Sequence, residues 1–161
     1  MTAAWSAWFR LQYRLLRLLD PLVRAAWHGF PGWLGAVVEL RVSGRRSGQQ
    51  RHLLLTGLTL DGRLYLGHPN GDAAWTRNLE AATGAVIVAA DGTALEIRAT
   101  RLRSGEERTR LIVATARLQP FPGSLVYRAA RAHILRVGVY YRLEPQADPA
   151  AEPEHEEHDP G

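Results

Sequence analysis

The apolar positions at the start of the chain recur with the period of an α-helix. Between residues 5 and 19 they fall at Trp5, Trp8, Phe9, Leu15, Leu16 and Leu19. Arginines at positions 10, 14, 17 and 24 line another face. The pair Asp20-Pro21 combines a good N-cap with a residue suited to a first helical position. This pattern predicts two successive amphipathic helices, over about 4–19 and 21–28.

Alternating, β-branched segments predict six strands farther along the chain. They cover about 36–42, 51–60, 63–67, 85–90, 93–102 and 134–143. Asp61-Gly62 and Asp91-Gly92 are strong hairpin signals, so four of these strands form antiparallel pairs with a neighbour in sequence.

Three short helices are predicted between and after these strands. Asp72 is suited to cap a helix that runs to about residue 82. Ser104-Gly105-Glu106-Glu107 fits a capping box and opens a helix to about residue 118. Ser124 is suited to cap another helix to about residue 133. Antiparallel hairpins with helices segregated to the ends favour an α+β fold, and such strands commonly curl into a barrel.

Composition and charge limit the function. The chain has no cysteine, which excludes disulfides, thiolate metal sites and a catalytic thiol. Residues 1–142 hold all 20 basic residues, every one an arginine, against nine acids. The strong positive charge of residues 1–142 favours anionic partners, which include a phosphorylated cofactor, a membrane surface and nucleic acid. Neither a secretory signal nor a spanning apolar run is evident, which predicts a cytoplasmic protein and leaves membrane association at the inner face open.

The domain organisation follows from these patterns. We expect N-terminal helices over 1–35, a barrel domain over 36–144 and an acidic disordered tail over 145–161. The tail's His155-Glu156-Glu157-His158 lacks the spacing that places two histidines on one helical turn, so no metal site is predicted.

A basic turn between the first two strands is a candidate anion site. It reads Gly44-Arg45-Arg46-Ser47-Gly48. Glycines let successive backbone N–H groups converge, and guanidinium and hydroxyl groups suit a phosphate or carboxylate. Taken alone, such a turn is more often an ordinary solvated loop.

A second segment, His68 to Leu79, supplies a candidate ring site. Trp75 and Asn78 lie three residues apart on the predicted helix and therefore share a face. There the indole is suited to pack against a planar ring, and the amide is suited to hydrogen-bond it. Trp75 is equally suited to the core face of that helix.

Together, the two segments resemble the deazaflavin-dependent nitroreductase family, small split β-barrel proteins that bind coenzyme F-420. The turn is similar to that family's Gly-Arg-Lys/Arg-Ser/Thr-Gly signature, and Ala73-Ala74-Trp75-Thr76-Arg77-Asn78-Leu79 is similar to its Pro-Ala-Trp-Tyr-His-Asn-Leu helix start. Ser104-Gly105-Glu106-Glu107-Arg108 looks like its Gly-Glu-Glu-Arg helix start. Thr76 and Arg77 depart from the usual tyrosine and histidine.

The resemblance implies an α+β, six-stranded antiparallel split β-barrel of the FMN-binding type, with N-terminal amphipathic helices and flanking helices. It implies that reduced F-420 passes hydride to an electrophile such as a quinone, an enone or a nitroaromatic. The cofactor-binding residues it implies are Gly44, Arg45, Arg46, Ser47, Gly48, Asn70, Trp75, Arg77 and Asn78. The substrate-pocket residues it implies are Trp8, Tyr127 and Tyr140. Tyr140 and Tyr141 point to opposite faces of a regular strand, so at most one of the two reaches the pocket.

Other interpretations stay open at this point. The same barrel could be a non-catalytic binding protein for a cofactor, haem or lipid, or an FMN-dependent reductase. The predicted partner is a small-molecule electron acceptor; nucleic acid is not expected, because the arginines are dispersed and no aromatic stacking platform is evident. Peripheral membrane contact through Trp5, Trp8 and Phe9, and a homodimer, are left open.

Overall fold

Six antiparallel strands close on one another to form a barrel. The computed structural model describes residues 2–29, 37–71, 73–119 and 123–146. The strands are β1 Val37–Ser43, β2 Gln50–Leu60, β3 Arg63–His68, β4 Ala85–Val88, β5 Ala94–Leu102 and β6 Val139–Pro145. Around the barrel their order is β1-β2-β3-β6-β5-β4, and β1 pairs with β4 to complete the circle. The predicted six-stranded antiparallel barrel is therefore confirmed.

The tight turns between strands follow the sequence signals. Asp61 and Gly62 connect β2 to β3 with φ of 51° and 73°, the left-handed values that a two-residue hairpin turn requires. Gly92 has a φ of 87° in the turn between β4 and β5. Both predicted hairpins are present.

Apolar side chains form two clusters, one inside the barrel and one under the helices. Leu40, Leu66 and Tyr141 belong to the first cluster, whereas Tyr140 belongs to the second, with Phe9 and residues from several other elements. Tyr140 and Tyr141 thus point to opposite sides of β6, as the two-residue period of a strand demands.

Five helices accompany the barrel within the described residues. They are α1 Thr2–Gly29, α2 Ala74–Ala81, α3 Glu106–Leu118, α4 Gly123–Ala129 and α5 Arg131–Val137. The prediction of two N-terminal helices was wrong, because α1 continues through Pro21. A proline inside a helix removes one hydrogen bond without necessarily ending the helix.

Helix starts were predicted less well than strands. The N-cap of α2 is Ala73, without a side-chain cap, and Asp72, the predicted cap, lies outside the described residues. The N-cap of α3 is Gly105, with a φ of 108°, so the predicted Ser104 capping box is wrong. The helix begins one residue later than the capping box predicts, after Gly105, whose φ of 108° favours glycine.

The last helical segment was also assigned wrongly from the sequence. Residues 134–137 were predicted as strand, but they complete α5, and the segment predicted as one helix from Ser124 divides into α4 and α5 around Ala130. Ile134 and Val137 are β-branched residues typical of a strand, yet Ile134 is fully buried against the helical cluster. Tertiary packing overrides local propensity here.

β6 runs beyond the predicted end of the barrel domain. It ends at Pro145, and the backbone N–H of Gln146 still donates to the carbonyl of Glu96 at 2.9 Å. The remainder of the predicted tail, and residues 30–36 of the predicted N-terminal region, lie outside the described residues. Among the helices that are described, none is both long enough and apolar enough to cross a membrane.

Candidate functional site

A groove of about 1110 Å³ runs between α1, the β1–β2 turn, β2 and the start of α2. It brings the two sequence-predicted segments together. Gly44, Arg45, Arg46 and Ser47 line one part of it, and Asn70, Trp75 and Asn78 line another. Leu53, Leu54 and Leu55 of β2 give it an apolar wall. The groove therefore combines a cationic end with an apolar surface suited to a planar ring.

The turn is held in shape by its own backbone. Gly44 donates its N–H to the carbonyl of Gln49 at 2.8 Å, and Gly48 donates to the carbonyl of Gly44 at 2.8 Å. A Cβ at Gly44 would lie 3.0 Å from Ser47 Oγ and 3.2 Å from the Gln49 carbonyl. Gly48 has a φ of 65°, which favours glycine. The two glycines thus permit the closed turn, whose arginine and serine side chains are exposed.

Asn78 connects this turn to α2. Its Oδ1 accepts a hydrogen bond from the backbone N–H of Arg45 at 3.4 Å. This direct contact fixes the position of the turn at residues 44–48 relative to Trp75, which lies one helical turn before Asn78 on α2. Asn78 both lines the groove and supports the turn.

Trp75 lies at the boundary between groove and core. It is 5% exposed, belongs to the cluster inside the barrel, and its ring lies 6.0 Å from that of Tyr141. It also lines the groove, and its buried Nε1–H has no hydrogen-bond partner within the described part of the chain. Buried polar groups are normally paired, so an N–H without a partner in the described structure is unusual.

The electrostatics of the groove are strongly positive. Its lining includes five arginines and, among the described residues, no carboxylate; the arginines are Arg10, Arg14, Arg45, Arg46 and Arg51. All five side chains are exposed. Such a surface attracts a ligand with anionic groups, and guanidinium groups suit phosphate and carboxylate geometry.

Two more aromatic side chains line the groove beside Trp75. The ring of Tyr13 lies 4.5 Å from that of His68, which lies 6.0 Å from the Trp75 ring in an edge-on arrangement. Burial raises the pKa of Tyr13 above its ordinary value, so its phenol stays neutral at physiological pH. His68 Nδ1 contacts the backbone N–H and carbonyl of Asn70.

Asn70 is chiefly a structural bridge. Its Nδ2 donates to the Ser6 carbonyl at 3.1 Å, and its Oδ1 accepts from Ser6 Oγ at 3.3 Å. His133 Nε2 lies 3.0 Å from the same Oδ1, which assigns the proton to that nitrogen. Asn70 therefore ties α1 and α5 to the loop after β3, and α1 contributes one wall of the groove.

The remaining predicted residues lie outside the groove. Gly48 shapes the turn without lining the groove, and Arg77 is exposed on α2. Trp8 is 48% exposed on α1, whereas Tyr140 is 1% exposed and Tyr127 packs on Phe9 in the cluster under the helices. None of the three predicted substrate-pocket residues lines the groove. The structure brings Tyr13 to this place instead.

The cofactor-binding residues implied by the family resemblance leave out Arg10, Tyr13, Arg14 and Arg51, which also line the groove. The spacing of Arg10 and Arg14 placed them on one helical face, which is the available signal. The packing of Phe9 decides which face of α1 meets the barrel. The sequence pattern cannot decide it, because the opposite face of the helix also carries large apolar side chains. His68 also lines the groove and is 4% exposed.

Comparisons with known proteins bear on the fold. No protein-family model matches the chain, and no curated protein matches it. A solved structure of an F-420-H2-dependent reductase (FDR-A) is similar to it, with 20% identity, a TM-score of 0.54, and coverage of 68% of this chain and 95% of that one.

Proteins with other functions share the architecture. The haem storage protein HutZ from Vibrio cholerae has 13% identity and a TM-score of 0.53, covering 81% of this chain and 92% of that one. A putative pyridoxamine 5′-phosphate oxidase from Listeria innocua has 10% identity and a TM-score of 0.51, covering 80% and 94%. Together with the closed six-stranded barrel, these likenesses establish that the chain has the α+β split-barrel fold.

Proposed function

We propose that the chain is a reductase that uses coenzyme F-420 and passes hydride to a small electrophile such as a quinone, an enone or a nitroaromatic. The observation that carries the proposal is the groove itself. It joins a glycine-bounded arginine turn to a buried indole with an unpaired N–H among the described residues, over an apolar wall from β2. A phosphate at one end and a polar planar ring at the other match these features.

The cationic end suits the phosphate of the cofactor. Arg45, Arg46 and Ser47 offer two guanidinium groups and a hydroxyl on a turn whose backbone is already closed. A preorganised site loses little conformational entropy when the ligand binds. Gly44 and Gly48 contribute through the shape of the turn.

The number of arginines favours a ligand with more than one anionic group. Arg10, Arg14 and Arg51 add three cations to those of the turn. FMN carries one phosphate, whereas F-420 continues past its phosphate into a tail with glutamate carboxylates. F-420 therefore complements the charge of this groove better than FMN does.

The aromatic end suits the ring. Trp75 and Tyr13 both line this end of the groove. In the proposed complex the ring hydrogen-bonds to the Trp75 Nε1–H, which has no partner among the described residues, and to the neutral Tyr13 phenol. When bound and reduced, F-420 supplies the hydride. The chain's own residues hold and orient the cofactor, and the apolar wall limits access of water. Because burial raises its pKa, Tyr13 is suited to donate a hydrogen bond and poorly suited to release a proton.

The test is a pair of measurements on the purified chain. Binding of F-420 and of FMN is followed by fluorescence, and oxidation of reduced F-420 is followed by absorbance with menadione as the acceptor. We expect F-420 to bind more tightly than FMN and to be oxidised faster with the protein than without it. Binding of neither flavin would overturn the proposal, and F-420 binding without turnover would support the carrier interpretation.

The phosphate assignment has a matched pair of variants. Arg46→Ala is expected to weaken F-420 binding by about tenfold or more, because a charge-assisted contact contributes about 1.5–3 kcal/mol. Arg98→Ala removes another exposed arginine, on β5 and outside the groove, and should leave the affinity unchanged. Equal losses in both variants would show that only the overall charge matters.

Arg77, which the family resemblance implies as a cofactor residue, is tested in the same assay. Its absence from the groove lining predicts that Arg77→Ala binds F-420 with nearly unchanged affinity. A loss comparable with that of Arg46→Ala would place the anionic tail along α2 instead of along α1.

A further inference from the structure

The outer face of α1 carries a stripe of exposed apolar side chains. Trp8 is 48% exposed, Leu11 and Leu15 are each 54% exposed, and Leu22 is 69% exposed. Their spacings of three, four and seven residues place all four on one side of the helix. Phe9, by contrast, is 1% exposed and packs under the helix. We call these four residues the α1 stripe.

The helix is thus apolar on two sides. Its inner side packs against the second cluster and Tyr127, so the fold of the barrel accounts for that side only. Leaving several large side chains in water costs free energy, and a row of exposed apolar side chains on one side of a helix is typical of an interaction site.

The charges beside the stripe indicate what covers it. Arg10 and Arg14 are exposed on the same helix. The sequence of α1 contains four arginines and one aspartate. A second copy docked on the stripe would bring the same excess of cations to the contact, with almost no acid to pair with them. A surface of anionic lipid headgroups complements these cations, while its acyl region accepts the leucines and its interface accepts a tryptophan.

We propose that the α1 stripe docks the protein on an anionic membrane surface, with α1 lying in the plane of the interface. Leu11, Leu15 and Leu22 enter the acyl boundary, and Trp8 lies at headgroup level. Because Arg10 and Arg14 also line the groove, the docked surface borders the groove. The proposal concerns the surface and holds whichever cofactor the groove takes.

The experiment measures co-sedimentation of the full chain with vesicles. Vesicles of phosphatidylcholine with phosphatidylglycerol are compared with vesicles of phosphatidylcholine alone, at low and high salt and without cofactor. We expect binding to the anionic vesicles that weakens with salt, and little binding to the neutral ones. No binding to the anionic vesicles, or equal binding to both kinds, would overturn the proposal.

Two matched variants test the stripe itself. Leu11→Gln with Leu15→Gln is expected to lower the apparent vesicle affinity by about tenfold or more. Leu118→Gln with Leu125→Gln removes two leucines of similar exposure, 59% and 54%, on α3 and α4, and is expected to bind like the unchanged chain. Equal losses in both variants would contradict a role for the stripe. Circular dichroism and thermal melting check that both variants fold.

The alternative is that a second copy of the chain covers the α1 stripe. The oligomeric state in the absence of lipid distinguishes this alternative from docking on a membrane. Sedimentation velocity is expected to give the same mass for the unchanged chain and the stripe variant. A dimer that becomes a monomer in the stripe variant would assign the stripe to contact between copies and overturn the lipid proposal.

Discussion

Trp75 contributes to the core and to the groove at once, and these two roles can be separated by substitution. The ring packs with Tyr141 inside the barrel, and only its N–H lacks a partner among the described residues. In the proposed complex this N–H bonds to the ligand, which would explain why the fold retains a buried polar atom that it does not itself satisfy.

Trp75→Phe keeps an aromatic ring and removes the N–H. We expect the affinity for F-420 to fall about 2- to 10-fold, the effect of one hydrogen bond of about 0.5–1.5 kcal/mol. Fluorescence titration measures the affinity, and urea unfolding shows whether the smaller ring has loosened the core. An unchanged affinity would assign Trp75 to packing alone.

His133 gives the stability of the protein a predictable dependence on pH. Burial lowers the pKa of His133 below its ordinary value of 6.5. Its buried Nδ1 has no partner within the described residues, so a proton added there would lack an acceptor. As the pH falls below about 6.5 the unfolded chain binds a proton that the folded chain resists. The free energy of unfolding should therefore decrease as the pH falls through this range.

His133→Gln isolates that contribution, because glutamine can still donate to Asn70 and does not titrate. Urea unfolding at about pH 7.5 and about pH 5.5 is expected to show a smaller pH-dependent loss in the variant than in the unchanged chain. The His52–Glu39 contact at 3.2 Å is present in both chains and therefore cancels in the comparison. Equal losses would mean that His133 is not the responsible group.

At the residue scale, local chemistry was predictable and long-range placement was not. The turn at Gly44–Gly48 and the helix with Trp75 and Asn78 each have a local signature, and the structure brings them together. Tyr13 has no such signature, because its place in the groove depends on how α1 packs. Whether Trp8, Tyr127 and Tyr140 reach the groove also depends on how α1 packs, and none of the three lines it.

At the scale of elements, the junction between α5 and β6 depends on one glycine. A Cβ at Gly138 would lie 2.6 Å from the Ile134 carbonyl and 2.9 Å from Ile134 Cγ2. Because α5 ends at Val137 and β6 begins at Val139, the chain can make this one-residue connection only if position 138 lacks a side chain. The sequence pattern predicted residues 134–137 as strand. The pattern of apolar and β-branched residues carries no information about the close approach of Gly138 to Ile134.

Gly138→Ala is expected to lower the free energy of unfolding by about 1–3 kcal/mol, since neither a backbone carbonyl nor the buried Ile134 can move away easily. Gly123→Ala serves as the control. A Cβ there meets its nearest atom at 3.5 Å at the start of α4, where alanine favours the helix. Urea unfolding compares the two; equal stability would show that the junction relaxes without cost.

At the scale of the whole molecule, the separation of charge should govern ligand binding. Eleven more arginines than acids lie within residues 1–142, and five arginines line the groove. We expect the affinity for F-420 to fall as salt rises from about 0.05 M to about 0.5 M, because screening weakens exposed charge contacts. Arg46→Ala should show a shallower dependence. Titrations at a series of salt concentrations measure both slopes, and an affinity independent of salt would contradict binding through charge contacts with the arginines.

The position of β6 has a consequence for how the protein is made. This strand is the last of the six in the chain, yet it lies between β3 and β5 and pairs with both. During synthesis, β1 to β5 emerge from the ribosome with two open edges facing each other across a gap. Such edges invite pairing with other chains. A nascent chain arrested before Val139 is therefore expected to need a chaperone, and its release from that chaperone should coincide with the emergence of its final strand.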